Sequence, residues 1–268
     1  MNLVRAELLK LRTTSLWWIF AITLVPLYGL ALGYNWLTAT VITEMNVPDE
    51  GAFGFISLEN IVSNLYTSGQ FAGVLLVLLL SAILVTNEFF HLTATATFLT
   101  TPRRELVILA KMAVAMLIAV TVWVFTTALN LIFAPVALAS MNQETYLDDS
   151  FVWSAISLNL LVHVLWALVG IGCGVLIRSQ IGTTITLTVL YVVGTQIFTA
   201  VFAVLASQVD EVFMKLRVLV PTLASDLLVS GPQGPDDLPR WVGAVVLLSY
   251  AVVAGVLGTL ITKRRDIA

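Results

Sequence analysis

Charged side chains are missing from six windows of this chain and crowd the segments between them: 15–37, 69–86, 112–138, 151–177, 182–206 and 241–262. A helix rises 1.5 Å per residue, so roughly 20 apolar residues cross a hydrocarbon core of about 30 Å. In lipid a single helix satisfies its own backbone groups, which an isolated strand cannot do. A charge at the centre of such a helix costs about 2.5–3.5 kcal/mol on insertion scales. The pattern therefore predicts an all-α membrane protein with six transmembrane helices. The spans fill most of the sequence, so residues 1–268 are expected to form a single membrane domain.

Composition points the same way. Hydrophobic residues make up 59% and charged residues 11%, against roughly 45–50% and 25% in ordinary soluble domains. Cys173 is the only cysteine and cannot form a disulfide within the chain. No basic patch interleaved with aromatics suggests nucleic acid as a partner, and no residue pattern calls for a cofactor or metal.

The first window follows a basic stretch, as the core of a signal peptide would. It is longer than such a core and lacks a small-residue cleavage pattern after it. Trp17, Trp18, Tyr34 and Trp36 bracket it as aromatic belts bracket a span. We read it as a retained first helix.

Six spans alternate, and the basic residues separate accordingly. Arg5, Lys10, Arg12, Arg103, Arg104, Lys111, Arg178, Lys263, Arg264 and Arg265 share one side with four acidic residues, a net +6. The other side has twelve acidic residues against Lys215, Arg217 and Arg240, a net −9, and together they give the −3 of the whole chain. The positive-inside rule makes the first side cytoplasmic, with both termini on it.

In residues 1–14, Leu3, Val4, Leu8 and Leu11 are set against Arg5, Glu7, Lys10 and Arg12. This fits an amphipathic helix in the membrane interface, cations toward anionic lipid, or a plain extension of the first span. The acidic segment 38–68 contains the turn signal Pro48-Asp49-Glu50-Gly51, and 139–150 is a shorter acidic loop. In 207–240, Val209, Val212, Phe213, Leu216, Leu219 and Val220 recur at helical spacing until Pro221. A second apolar run, 223–229, follows before the breakers at 231–235. This outer helical segment is expected to dip into the outer leaflet or cover the outer mouth of the bundle. Within the spans, Asn130, Asn159, His163 and Gln196 are polar. His163 reads as packing and hydrogen bonding to a neighbouring helix, with a proton relay as the alternative. Gly170, Gly172 and Gly174 read as a site of close helix approach, and Pro135 should kink or end its helix.

Residues 87–104 mix aromatics, small hydroxyl residues and one acid, and end in Pro102-Arg103-Arg104. Aromatics backed by arginine are a common interface composition, so this segment reads as a surface to be buried against another protein. The run Glu88, His91, Thr93-Ala94-Thr95-Ala96-Thr97-Phe98-Leu99, Thr101-Pro102-Arg103-Arg104 and Lys111 resembles the first cytoplasmic loop of ABC-2 type permeases. Those are the membrane subunits of ATP-binding-cassette exporters. The opening Arg5-Ala6-Glu7-Leu8-Leu9-Lys10-Leu11-Arg12-Thr13-Thr14 is similar to the start of actinobacterial members. Leu92 departs from the pattern, since the family often has Gly after the His.

The resemblance implies a coupling helix between spans 2 and 3 that docks into a cytoplasmic ATPase subunit. By position, Glu88, Phe89, His91, Thr95, Phe98 and Leu99 would dock, with Arg103 and Arg104 at the rim. It also implies a second permease subunit, a homodimer, and export across the plasma membrane, while the uncharged spans are compatible with an amphiphilic substrate. The chain contains no G-x-x-x-x-G-K-[ST], so ATP would be hydrolysed by the partner. Two other classes compete. An ion-coupled transporter or channel usually places carboxylates or broken helices near the midplane, and no window holds an acid. An intramembrane enzyme would have to rely on His163 without an evident catalytic partner.

Overall fold

The computed structural model describes residues 2–44, 57–93, 104–210, 212–231 and 238–264. In chain order the helices are α1 (Asn2–Thr13), α2 (Leu16–Glu44), α3 (Leu58–Tyr66), α4 (Gln70–Phe90), α5 (Arg104–Ser140) and α6 (Ser150–Leu176). Then follow α7 (Gln180–Thr188), a π-helical turn (Val189–Gly194) and α8 (Thr195–Gln208) as one continuous rod. The chain closes with α9 (Val212–Leu216), a 3-10 turn (Arg217–Leu219), α10 (Pro221–Ser230) and α11 (Arg240–Arg264). No strand occurs among the described residues. Six segments are long and apolar enough to cross a bilayer: Trp17–Thr43, Gln70–Phe90, Leu106–Ser140, Ser150–Leu176, Gln180–Gln208 and Arg240–Leu257. The fold is that of an all-helical, multi-pass membrane protein.

α4 and α6 form the centre of the bundle; 78% and 61% of their most apolar windows are buried, against 17% for α2 and for the α7–α8 rod. Small residues let the two central helices touch. A Cβ on Gly170 would lie 2.5 Å from the Leu78 carbonyl oxygen, and one on Gly174 would lie 2.6 Å from that of Ala82. Gly172 faces the other way, where a Cβ would meet Ala254 Cβ of α11 at 2.5 Å. The glycine triplet of the fourth span thus brings two neighbours to backbone contact, where dispersion rather than water exclusion holds membrane helices together.

Several elements differ from what hydropathy predicts. α5 begins at Arg104 rather than near residue 112 and passes through Pro135 to Ser140, so the proline does not end it. Part of the 38–68 segment is helical. α2 runs on to Glu44, and α3 is capped by Ser57, whose hydroxyl accepts from the Asn60 amide. α3 buries Ile61, Val62, Leu65 and Tyr66 against α5 and α6. Pro48 to Gly51 lie outside the described residues. His163 is fully buried, but its hydrogen bond runs along its own helix, from Nδ1 to the Asn159 carbonyl at 2.8 Å. Its contact with the next helix is packing, since Nε2 faces Gly73 with only 3.1 Å to a Cβ placed there.

The segment between α8 and α11 enters the bundle. Leu219 O accepts from Tyr250 Oη at 3.1 Å, Thr222 and Thr195 share a hydroxyl bond of 2.8 Å, and Ser225 Oγ accepts from Trp166 Nε1 at 2.9 Å. Tyr250, Thr195 and Trp166 all lie near the middle of their own long helices. At the other end of α10, Arg240 at the start of α11 donates to Ser230 O at 3.3 Å. The helical rise from Ser230 back to Pro221 is therefore about 14 Å into the bundle. α9 and α10 form a hairpin that re-enters the bundle, with Pro221 at the first position of the returning helix. The π-helical turn faces its tip; the wider turn directs Tyr191 inward, where its hydroxyl donates to Phe71 O at 2.9 Å.

Gly170→Ala and Gly174→Ala are each expected to lower stability by about 1–3 kcal/mol, because the neighbouring atom is rigid backbone. Gly33→Ala, mid-helix and with nothing within 4 Å of its Cβ position, should instead raise the thermal midpoint of the detergent-purified protein slightly, by about 0.5–1 kcal/mol of stability.

Candidate functional site

The last turn of α4 carries the residues of greatest interest. Glu88 points into the bundle and is only 6% exposed. It meets two lysines from remote parts of the chain. Glu88 Oε1 lies 2.7 Å from Lys10 Nζ and 3.1 Å from Lys111 Nζ. Glu7 completes the group, with Oε1 2.6 Å from Lys10 and Oε2 2.6 Å from Lys111. Lys111 also donates to the Leu84 carbonyl at 2.9 Å, filling a third ammonium position.

The arrangement follows from where each residue is forced to lie. On α1, Val4, Leu8 and Leu11 pack against the apolar cluster of α4 and α5. Glu7 lies on that same stripe, at helical spacing, and is turned inward with them at 4% exposure. It is therefore not on the charged face that the alternation of residues 1–14 suggests. Lys111 lies two turns inside α5, between Ala110 and Met112, and is 3% exposed. Both would be costly alone, since a buried charge needs a partner and hydrogen bonds. Two carboxylates and two ammonium groups cancel, so the buried group has no net charge.

Burial by itself would push the Glu7 carboxyl above its ordinary value; the Lys111 and Lys10 ammonium groups outweigh it and hold the carboxyl below. Burial likewise would lower Lys10, but its hydrogen bonds to Glu7 and Glu88 raise it. The contribution of Glu7 to stability is thus present above the ordinary carboxylate range and lost as pH falls through its depressed folded value. That of Lys10 is present below the ordinary lysine value and lost as pH rises beyond it.

Beyond Glu88 the helix stops in a Schellman turn. The Thr93 amide donates to Glu88 O at 2.9 Å and the Leu92 amide to Phe89 O at 3.3 Å. The motif requires a left-handed residue after the cap, and Leu92 supplies it with φ 57°. Glycine takes that conformation without strain, whereas a side chain costs about 1–2 kcal/mol. Leu92 is 87% exposed, so no packing offsets the cost.

Of the residues expected to dock a partner, Glu88 is sequestered in the ion group and Phe89 is half-buried, its ring 5.3 Å from the Arg178 guanidinium. His91 is exposed, edge-on to the exposed ring of Phe90 with centroids 5.1 Å apart. Thr95, Phe98, Leu99 and Arg103 lie outside the described residues. Arg104 opens α5, with no side-chain placement described. Sequence reading missed the partnership of Glu7, Lys10 and Lys111. The available signal was Glu7 sharing the 4–8–11 stripe and Lys111 standing alone in an apolar run. No cluster of three His, Cys, Asp or Glu residues suited to a metal occurs among the described residues. No family model and no curated protein matches this chain.

Lys111→Met is expected to destabilise the protein by about 3–5 kcal/mol, because it leaves two carboxylates facing one half-exposed lysine. Adding Glu7→Gln should recover part of the loss, and thermal unfolding of the four proteins of that double-mutant cycle measures the coupling. The deficit of Glu7→Gln relative to wild type should shrink as pH is lowered below the ordinary carboxylate range. Leu92→Gly is expected to raise stability by up to about 1 kcal/mol and Leu92→Ala to leave it nearly unchanged, measured the same way.

Proposed function

We propose that this chain is the membrane-spanning subunit of an ATP-binding-cassette exporter of the ABC-2 type, seated in the plasma membrane with both termini cytoplasmic. A separate cytoplasmic subunit hydrolyses ATP, and a second copy of the permease completes the translocation unit. The observation that carries this reading is the end of α4. There, exposed Phe90, His91 and Leu92 begin the segment that resembles the coupling loop, while Glu88 on the same turn is bonded to α1 and α5.

That arrangement suits force transmission. A push or pull applied by an ATPase to the exposed residues after Phe90 reaches Glu88 within one turn. Through Lys10 and Lys111 it then reaches the first helix and the third span. The left-handed turn at Leu92 supports the resemblance from another side, because glycine is the residue such a turn favours and the one the family often has there. The excess of basic residues at this end supports the cytoplasmic assignment. Arg5, Leu9 and Arg12 share the exposed face of α1, a composition suited to anionic headgroups at the cytoplasmic interface. The α9–α10 hairpin then occupies the outer leaflet. Long apolar spans free of charge at their centres suit an amphiphilic substrate.

Affinity purification of the tagged protein from its native membranes is expected to recover an ATPase subunit. Phe98→Asp, or reversal of Arg103 and Arg104 to Glu, should reduce that recovery about tenfold, the loss of one good contact's free energy, while insertion remains normal. Recovery unchanged in both variants would exclude this loop as the docking element.

A further inference from the structure

Between the two arms of the re-entrant hairpin lies a cleft of about 120 Å³, lined by Met214, Lys215, Arg217, Leu223, Asp226 and Leu227 among others. Its charges lie in the segment expected to dip into the outer leaflet or cover the outer mouth of the bundle. The contacts of Leu219, Thr222 and Ser225 with the middles of three long helices place that segment within the thickness of the bundle. Neither Lys215 nor Asp226 makes an ion pair or side-chain hydrogen bond with a described residue, and both are exposed to the cleft. Arg217, by contrast, is already engaged, with one guanidinium nitrogen also 3.8 Å from Met214 Sδ. Ionisable groups at membrane depth are expensive and normally serve a ligand or a pathway.

The chemistry of the lining narrows the ligand. Cations and a carboxylate border one cleft, which suits a molecule carrying both signs rather than a simple anion or cation. The cleft has room for a small polar head. Leu223, Leu227 and Met214 lie beside the charges and offer an apolar path for a hydrocarbon chain.

We propose that this cleft binds the polar head of a zwitterionic amphiphile, its anionic group toward Lys215 and its ammonium toward Asp226. The inference depends on the chain lying in a bilayer and not on coupling to an ATPase, and its test reads no ATPase.

The test uses the full chain in a neutral maltoside detergent, with dilauroyl phosphatidylethanolamine and dilauroyl phosphatidylglycerol as probes and bound lipid read by native mass spectrometry. Wild type is expected to retain the ethanolamine lipid in preference to the glycerol lipid. Asp226→Asn should weaken the ethanolamine lipid about tenfold, as losing one charge-assisted bond does, and spare the glycerol lipid. Lys215→Gln should weaken both. Equal retention of the two lipids by wild type, with no change in either variant, would overturn the assignment. A shift in oligomeric state on Asp226→Asn without change in lipid retention would also overturn it, since a second copy would then be covering the cleft. Free phosphoethanolamine competing as well as the lipid would overturn the amphiphile. If Asp226→Asn does not yield monodisperse protein, Lys215→Gln decides alone: weaker retention of the ethanolamine lipid supports the site and unchanged retention refutes it.

Discussion

A lysine buried two turns inside a long apolar helix must be neutralised by the protein, because burial at 3% exposure takes its charge out of solvent. Lys111 meets this requirement with Glu7 and Glu88, and Lys10 balances the remaining charge. The consequence is architectural. The N-terminal helix is remote in sequence from the end of the second span and the start of the third, yet none of the three can move far without exposing an unpaired charge. The apolar stripe of Val4, Leu8 and Leu11 sets α1 against the bundle, and the ion group fixes how it is rotated. Whatever acts on the turn after Phe90 therefore acts on three helices together.

The same constraint, that polar groups be satisfied from within, explains the centre and the opposite end. Glycines let α4 and α6 approach until backbone meets backbone, so the core needs little side-chain volume. Tyr28 donates to Asn130 Oδ1 at 2.9 Å, and Asn130 in turn donates to Ser68 O at 3.1 Å, tying α2, α5 and the entry to α4. The hairpin is held by single bonds from Tyr250, Thr195 and Trp166, each reaching from the middle of a different long helix. Membrane interiors make such bonds modest individually. Three of them arranged around one short element define its depth.

The six spans were legible because they depend on a one-dimensional property, the absence of charge over about twenty residues. The close approach at Gly170, Gly172 and Gly174 was legible for a similar reason, small residues at regular spacing. What remained hidden depends on partners far away in sequence. Lys10, Glu88 and Lys111 each read as ordinary charges beside a span, and their convergence is a tertiary fact. The apolar spacing of the hairpin points to a segment that dips into the outer leaflet or covers the mouth of the bundle, but Lys215, Arg217 and Asp226 along it leave its depth unread from amphipathicity. The π-helical turn at Val189–Gly194 has no compositional marker, since Val, Leu and Tyr fit an α-helix equally well. Leu92 is the reverse case: its departure from a glycine pattern was visible in sequence, and the left-handed backbone there gives that departure its physical meaning.

The neutrality of the ion group carries a consequence for energetics under a membrane potential. A unit charge crossing the full field exchanges about 2.3 kcal/mol per 100 mV with it. Two ammonium groups and two carboxylates carried together transfer no charge at all. A rearrangement that shifts α1, α4 and α5 as one body therefore does no electrical work through these four residues, and voltage gives them no preference between its two positions.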